Sequence, residues 1–141
     1  MPSTPPRLVA GGNINPCRFL KMSSAADDRC LEADANESLI GISYDNGRYA
    51  PLSDVVVTNY HAIAGDSVGL YGDGDQCLLE LGSGGAVRGN KLKSDADGKG
   101  VAVATTGTTL QHYGAIALES GAEGEKIRVF VLLGSERPSY S

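Results

Sequence analysis

The side chains that most often carry chemistry are sparse in this sequence. Two histidines, His61 and His112, lie in separate halves of the chain, and neither has a Cys, Asp or Glu at the spacing of a zinc site. Cys17, Cys30 and Cys77 are an odd set without a C-x-x-C pair, which is typical of buried structural thiols. No Gly-x-Ser-x-Gly elbow or other frame for an activated nucleophile occurs. The sequence therefore predicts a protein that is not an enzyme and that uses no metal or other cofactor.

Two acidic runs match the start of a calcium-binding loop without completing it. Residues 73–75 read Asp-Gly-Asp, and residues 95–98 read Asp-Ala-Asp-Gly. A calcium loop needs a further oxygen ligand at its fifth position, where this chain has Cys77 and Lys99. Asp-Gly is instead a strong signal for a tight turn between antiparallel strands. We therefore interpret both runs as hairpin turns.

The composition favours a single all-β domain. The 141 residues include 19 glycines, six prolines and no tryptophan, and no long amphipathic helical pattern is present. The net charge of −5 argues against nucleic acid as a partner, because nucleic-acid binding depends on a basic surface. No apolar run reaches the length of about 18 residues that a membrane helix needs, so no membrane partner is expected. The absence of a signal-peptide pattern predicts synthesis and assembly in a reducing cytoplasm.

The chain contains two diverged copies of one pattern. Apolar residues alternate with polar or small ones on both sides of the turn at residues 95–98, as in a hairpin. Residues 19–33 repeat the order of that hairpin, and residues 39–43 match the returning strand at 113–117. The first copy is longer, and we assign the extra length to an insertion at about residues 44–60. The sequence thus predicts a small barrel or sandwich built from two duplicated hairpin-plus-strand units.

The two ends of the chain are predicted to lie outside the β-domain of residues 16–133. Residues 1–15 should form an extended arm, because the prolines at positions 2, 5 and 6 fix φ and remove backbone donors. Deleting residues 1–12 is therefore expected to leave the fold intact. Residues 134–141 are polar and are predicted to form a flexible tail.

Residues 10–21, 72–81, 88–101 and 113–129 form four longer runs of turn and strand patterns. Together they resemble the capsid decoration, or cement, proteins of tailed bacteriophages, over about residues 9–131. The resemblance implies a small β-domain that adds to the outer surface of an expanded head, usually as a homotrimer, and clamps neighbouring major capsid subunits. It places the protein in the virion and implies no cofactor.

Two segments are candidates for contact with partners. A pre-extended, Pro-rich arm loses little entropy when it docks along a neighbouring subunit, so we expect the arm to bind the capsid. Its candidate contact residues are Pro5, Pro6, Arg7, Leu8, Val9, Asn13 and Ile14. The insertion offers a second surface through its aromatic and basic side chains, Tyr44, Arg48, Tyr49 and Tyr60.

Two other classes of function stay open at this point. A host- or glycan-binding module on the head surface would use the insertion as its binding element. An enzyme or small-ligand domain would need His61 or His112 in a pocket with a carboxylate.

Overall fold

A computed structural model describes residues 8–24, 28–45, 60–104 and 109–136 of the chain. Within these ranges the chain forms strands and no helix, which confirms the all-β prediction. The strands are β1 (Val9–Ala10), β2 (Phe19–Met22), β3 (Arg29–Glu32), β4 (Gly41–Ser43), β5 (Leu70–Tyr71), β6 (Gln76–Glu80), β7 (Lys91–Ser94), β8 (Gly100–Ala102), β9 (Gln111–Ala117) and β10 (Lys126–Glu136).

The strands form two five-stranded sheets with matching topology. Sheet 1 has the order β1-β3-β2-β4-β5, and sheet 2 has the order β6-β10-β9-β7-β8. In both sheets an antiparallel hairpin is followed by a strand that returns beside the first hairpin strand. A further strand then pairs with the returning one. The duplication predicted from sequence is therefore confirmed, and we call residues 8–71 repeat 1 and residues 79–132 repeat 2.

The duplication begins earlier in the chain than the sequence pattern indicated. Three backbone hydrogen bonds made by Ala10 and Gly11 recur at Leu81 and Gly82. In repeat 1 the bonds are Ala10 N–H to Asp66 C=O, Gly65 N–H to Ala10 C=O and Gly11 N–H to Cys30 C=O. The equivalent bonds of repeat 2, in the same order, are Leu81 N–H to Glu125 C=O, Gly124 N–H to Leu81 C=O and Gly82 N–H to Gly100 C=O. Strand β1 of repeat 1 is thus the counterpart of the end of β6.

Each sheet curls until its first strand meets both its last strand and the outer strand of its hairpin. One closing pair is antiparallel and the other is parallel, in both repeats. The pairs are Val9 with Ser67 and Ala10 with Cys30 in repeat 1, and Glu80 with Lys126 and Leu81 with Gly100 in repeat 2. Each repeat is therefore a small, barrel-like unit, and closure of this kind removes exposed strand edges.

The buried apolar side chains of the described residues form two clusters. The smaller one lies inside repeat 1 and consists of Ala10, Ile14, Leu20, Cys30 and Ala62. The larger one fills repeat 2 and continues into the interface with repeat 1; its members are Phe19, Ala33, Ile42, Leu79, Leu81, Ala86, Leu92, Ala115, Ala117, Ile127, Val129 and Val131. Strand β10 shows how alternation produces this core, because Ile127, Val129 and Val131 are buried while Lys126 and Arg128 face solvent.

Repeat 1 packs on repeat 2 through the start of β2. Phe19 is fully buried, and a Cβ at Gly114 would lie 2.6 Å from its ring, so the ring packs directly on the backbone of β9. The turn of the second hairpin meets the same strand, where Phe19 N–H donates to Gly98 C=O at 2.7 Å. Glu80 adds charge to this contact, lying 3.4 Å from Arg18 and 3.6 Å from Lys99. Burying a phenylalanine side chain contributes roughly 1.5–3 kcal/mol, so Phe19 is a strong apolar link between the repeats.

The described ends of the chain differ from the predicted domain boundaries. Val9 and Ala10 form β1, and Ile14 is fully buried, so residues 8–14 belong to the β-domain rather than to an arm. The structure therefore favours the opposite expectation for the deletion of residues 1–12, because that deletion would remove β1. At the other end β10 continues to Glu136, so the tail cannot begin before residue 137.

Candidate interaction surface

The predicted contact residues of the N-terminal segment differ in how far their side chains are exposed. Leu8 and Val9 are half-buried, and Ile14 is fully buried beside Ala62, so Ile14 cannot offer its side chain to a partner. Asn13 is exposed. Pro5, Pro6 and Arg7 lie outside the described residues, and their role in capsid contact stays a prediction.

The described ends of the insertion are close in space, while Arg48 and Tyr49 lie outside the described residues. Tyr44 follows β4 at one end, and Tyr60 and His61 mark the other. The Tyr44 ring lies 5.8 Å from the His61 ring in an edge-on arrangement and 4.7 Å from the Tyr71 ring. We call Tyr44, His61 and Tyr71 the aromatic cluster. Such pairs are worth about 0.5–1.5 kcal/mol beyond the area they bury.

Gly69 lets the aromatic cluster form. A Cβ at this position would overlap the Tyr44 ring, so the ring lies flat against the glycine backbone. Tyr44 N–H donates to Gly69 C=O at 3.0 Å, and Gly69 N–H donates to Nε2 of His61 at 2.9 Å. The chain after β4 is thus tied to the strand that ends in Tyr71.

A groove of about 280 Å³ begins at the aromatic cluster. It carries charged groups of both signs, Asp45 and Arg128, together with apolar wall atoms. The lining residues are Asp45, Tyr71, Gln76, Cys77, Leu78 and Arg128. Burial, together with the charge of Asp45, raises the pKa of Tyr71, so its phenol is protonated at neutral pH. The mixture of an aromatic wall, amide groups and both charges suits a peptide segment better than a metal or a reactive small molecule.

A second groove, of about 290 Å³, lies where the two repeats meet on another side of the molecule. It is lined by Ser38, Leu39, His112, Tyr113, Leu133, Gly134 and Ser135. His112 N–H donates to Asn36 Oδ1 at 2.9 Å, which fixes the backbone of β9 at this point. Among the described residues that line this groove, His112 is the titratable group that could act as an acid or base near neutral pH, and none is a carboxylate.

The thiols of the described residues are held in their neutral form. Burial raises the pKa of Cys17 and of Cys30 to about 11, and burial is also the main cause that raises the pKa of Cys77 to about 12. A thiol acts as a nucleophile or metal ligand only as the thiolate, so these groups are unreactive at neutral pH. In the part of the chain that the structure describes, no group of three or more His, Cys, Asp or Glu could hold a metal ion. The same part contains no helix long and apolar enough to cross a membrane.

Exposed apolar side chains supply further contact surface on separate elements. Among the described residues, Val87 is the most exposed of the large apolar ones, at 64%, and lies in the turn before β7. Met22, Tyr44 and Leu110 are each between 39% and 45% exposed. Single exposed apolar side chains are common on protein surfaces, and these four do not form one continuous patch that would mark an interface.

Comparison with known proteins gives a structural match. No protein-family model matches the chain, and no curated protein sequence matches it. Among solved structures, the crystal structure of the N base of the head fiber gp8.5 of bacteriophage phi29 is similar, with a TM-score of 0.57 and 21% sequence identity. The two chains share a fold. The match covers 89% of this chain and 89% of that chain, so it spans both repeats.

Sequence analysis found one of the three residues of the aromatic cluster. Tyr44 was expected to be a contact residue, whereas His61 was considered only as a metal ligand or catalytic group and Tyr71 was not singled out. The signal that connects them is Gly69, since a glycine in an otherwise alternating strand indicates the close approach of another group. Such a signal does not reveal which ring approaches.

Proposed function

We propose that this protein is a structural component of a bacteriophage head that binds its outer surface and stabilises contacts between major capsid subunits. The observation that carries the proposal is the fold, which is similar to that of a head fiber base over 89% of both chains. The sequence resemblance to capsid cement proteins points to the same location. In this proposal the protein resides in the virion and acts without catalysis, cofactor, nucleic acid or membrane.

The architecture suits a protein that must resist tension. Two barrel-like repeats are joined by the buried Phe19 and by the turn around Gly98, so the described domain forms one continuous body. Capsid subunits under pressure from packaged DNA are pulled apart, and a clamp that contacts several subunits spreads that load. Many weak contacts made by one rigid body act together through their effective concentration.

We also propose that the protein assembles as a homo-oligomer, with a trimer as the expected form. A trimer bound at a three-fold position of the capsid would repeat each contact three times. The N-terminal residues Pro5, Pro6 and Arg7 are proposed to contact the major capsid protein. Removing residues 1–7 spares β1, so it tests this contact without removing a described strand.

Co-sedimentation with purified expanded heads of the phage that encodes the chain tests the proposal. We expect saturable binding at a copy number fixed by the icosahedral lattice, with weaker binding after deletion of residues 1–7. Unexpanded proheads and heads of an unrelated phage serve as controls. A folded protein that stays in the supernatant with expanded heads would contradict the proposal. Binding to glycans by that same unbound protein would favour the alternative of a host-binding module.

A further inference from the structure

The contact between the two repeats joins a different surface of each. The Phe19 ring of repeat 1 packs on Gly114 of repeat 2. Asn36 N–H donates to Ser94 C=O at 3.1 Å, and Asn36 Nδ2 donates to Leu110 C=O at 2.9 Å. We call the side of this joint that carries Phe19 and Asn36 the docking face, and the side that it covers the receiving face.

Cross-strand pairing fixes which residues of the two repeats are equivalent. Leu20 pairs with Gly41 in repeat 1, and Leu92 pairs with Ala115 in repeat 2. Counting along the chain from these residues gives the remaining equivalent pairs. They are Phe19 and Lys91, Met22 and Ser94, Asn36 and Leu110, and Ile40 and Gly114.

The joint is heterologous, because the counterparts of its central pair have other neighbours. Lys91, the counterpart of Phe19, forms an ion pair with Glu136. Ile40, the counterpart of Gly114, packs against the apolar cluster inside repeat 1. The described joint therefore uses the docking face of repeat 1 and the receiving face of repeat 2. The docking face of repeat 2 and the receiving face of repeat 1 are the two that it leaves over.

Exposed apolar side chains lie at matching positions on these two remaining faces. Leu110, the counterpart of Asn36, is 39% exposed. Met22 is 45% exposed, whereas its counterpart Ser94 is 1% exposed under the joint. Asn36 and Ser94 are in direct contact within the chain. The same contact made between two copies would bring Leu110 of one against Met22 of the other.

The position of Asn36 also favours repetition of the joint. Asn36 bonds to its own counterpart, Leu110, so this position lies close to the axis that relates the two repeats. Further joints of the same kind would bring the same position of each copy together around that axis. Because Lys91 replaces Phe19 there, a joint between copies would depend on the apolar contact of Leu110 and Met22 more than the internal joint does.

We propose that copies of this chain associate head to tail through these two faces, with Leu110 of one copy against Met22 of the next. The inference rests on the homo-oligomer proposed above and adds the surface that forms it. A heterologous contact gives a closed ring when its rotation closes and an open filament when it does not. The expected trimer is the closed form, a ring that contains two repeats from each copy.

Charge substitutions at the two positions test the contact. Leu110→Glu and Met22→Lys each place an unpaired charge in it, so each variant should have about a third of the mass of the natural trimer. The double variant pairs a Glu with a Lys in every joint and keeps the natural net charge, so it should regain the mass of the trimer. Val87→Lys, at a residue that is 64% exposed on another element, is the control and should leave the mass unchanged. Light scattering after size-exclusion chromatography measures the masses, and circular dichroism checks the fold.

The same masses decide against the inference in three cases. A natural chain that stays a single copy up to about 100 µM would overturn it, since association follows mass action. An oligomer that neither single substitution alters would place the contact elsewhere. A double variant that folds and stays a single copy would show that the two positions do not meet. A single-copy natural chain that still binds expanded heads would leave the capsid proposal standing, whereas a trimer that ignores heads would contradict only that proposal.

Discussion

The two repeats carry different side chains at the strand position where one packs on the other. Phe19 in β2 pairs with Ile42, as Lys91 in β7 pairs with Ile116, so Phe19 and Lys91 are equivalent. Phe19 is fully buried in the interface, whereas the Lys91 side chain is 41% exposed and forms an ion pair with Glu136. The same backbone arrangement therefore holds a buried aromatic side chain at this position in repeat 1 and a partly exposed lysine in repeat 2.

The largest expected effect comes from breaking the correspondence between β1 and the end of β6. Deleting residues 1–12 removes β1 and the buried side chain of Ala10. It also removes the backbone hydrogen bonds of residues 8–11, whose partners are Asp28, Cys30, Gly65, Asp66 and Val68. Each such bond contributes about 1 kcal/mol, so the loss should be at least about 4 kcal/mol in the free energy of unfolding. Urea denaturation followed by circular dichroism measures it.

Deletion of residues 1–7 is the matched control for that experiment. It leaves every described strand in place, so its unfolding midpoint should stay close to that of the full chain. Equal midpoints for the two truncations would show that β1 is not part of the stable domain.

Substituting the equivalent residues Phe19 and Lys91 measures how much this strand position contributes to stability in each repeat. Phe19→Ala should cost about 3–5 kcal/mol of stability, because it leaves a cavity between the repeats. Lys91→Ala removes an exposed ion pair and should cost less than about 1 kcal/mol. Thermal and urea unfolding of both variants measures the two costs. Similar losses would mean that the packing of Phe19 between the repeats contributes no more to stability than an exposed ion pair.

A smaller effect is expected from filling the space opposite the Phe19 ring. In Gly114→Ala the new Cβ would lie 2.6 Å from that ring and 2.7 Å from Leu39, so the repeats must shift apart at a cost of about 1–3 kcal/mol. Gly72→Ala is the control, because a Cβ there meets nothing within 4 Å. The control should be neutral or slightly stabilising through the unfolded state. A neutral Gly114→Ala variant would contradict the close packing of Phe19 on β9.

The sequence was sufficient for the class of fold and for its internal repetition. Alternating apolar residues and the Asp-Gly turn at residues 95–98 depend on neighbours a few positions apart, and the structure has the hairpin β7–β8 there. The repeated order of hairpin and returning strand likewise followed from local patterns. These features are written into short stretches of chain, which is why a single sequence reveals them.

The role of residues 8–14 was missed because it depends on distant partners. Val9 and Ala10 pair in parallel with Arg29 and Cys30, and two-residue strands carry no periodicity of their own. Residues 10–12 (Ala-Gly-Gly) and 81–83 (Leu-Gly-Ser) share little beyond one glycine, so the earlier start of the repeat is hidden in sequence. Because prolines lie close by, the sequence suggested an arm that included residues 8–14, which the structure places in the β-domain.

The backbone conformation of Cys17 is another feature that the sequence alone did not reveal. Cys17 has a positive φ of 59°, a conformation that costs a non-glycine residue energy, and its sequence gives no sign of it. Its counterpart in repeat 2 is Gly89, with a φ of 91°. Only the superposition of the two repeats reveals that the same turn is built once with glycine and once without.

Heat-induced release of DNA from packaged heads tests the central claim most directly. Heads stripped of the protein and heads saturated with it would be warmed in the presence of a DNA-binding dye, with the bound copy number measured in parallel. The account predicts that saturated heads retain their DNA to a higher temperature and that the gain grows with occupancy. Full occupancy without any change in release temperature would contradict a stabilising role, even though the protein binds the head.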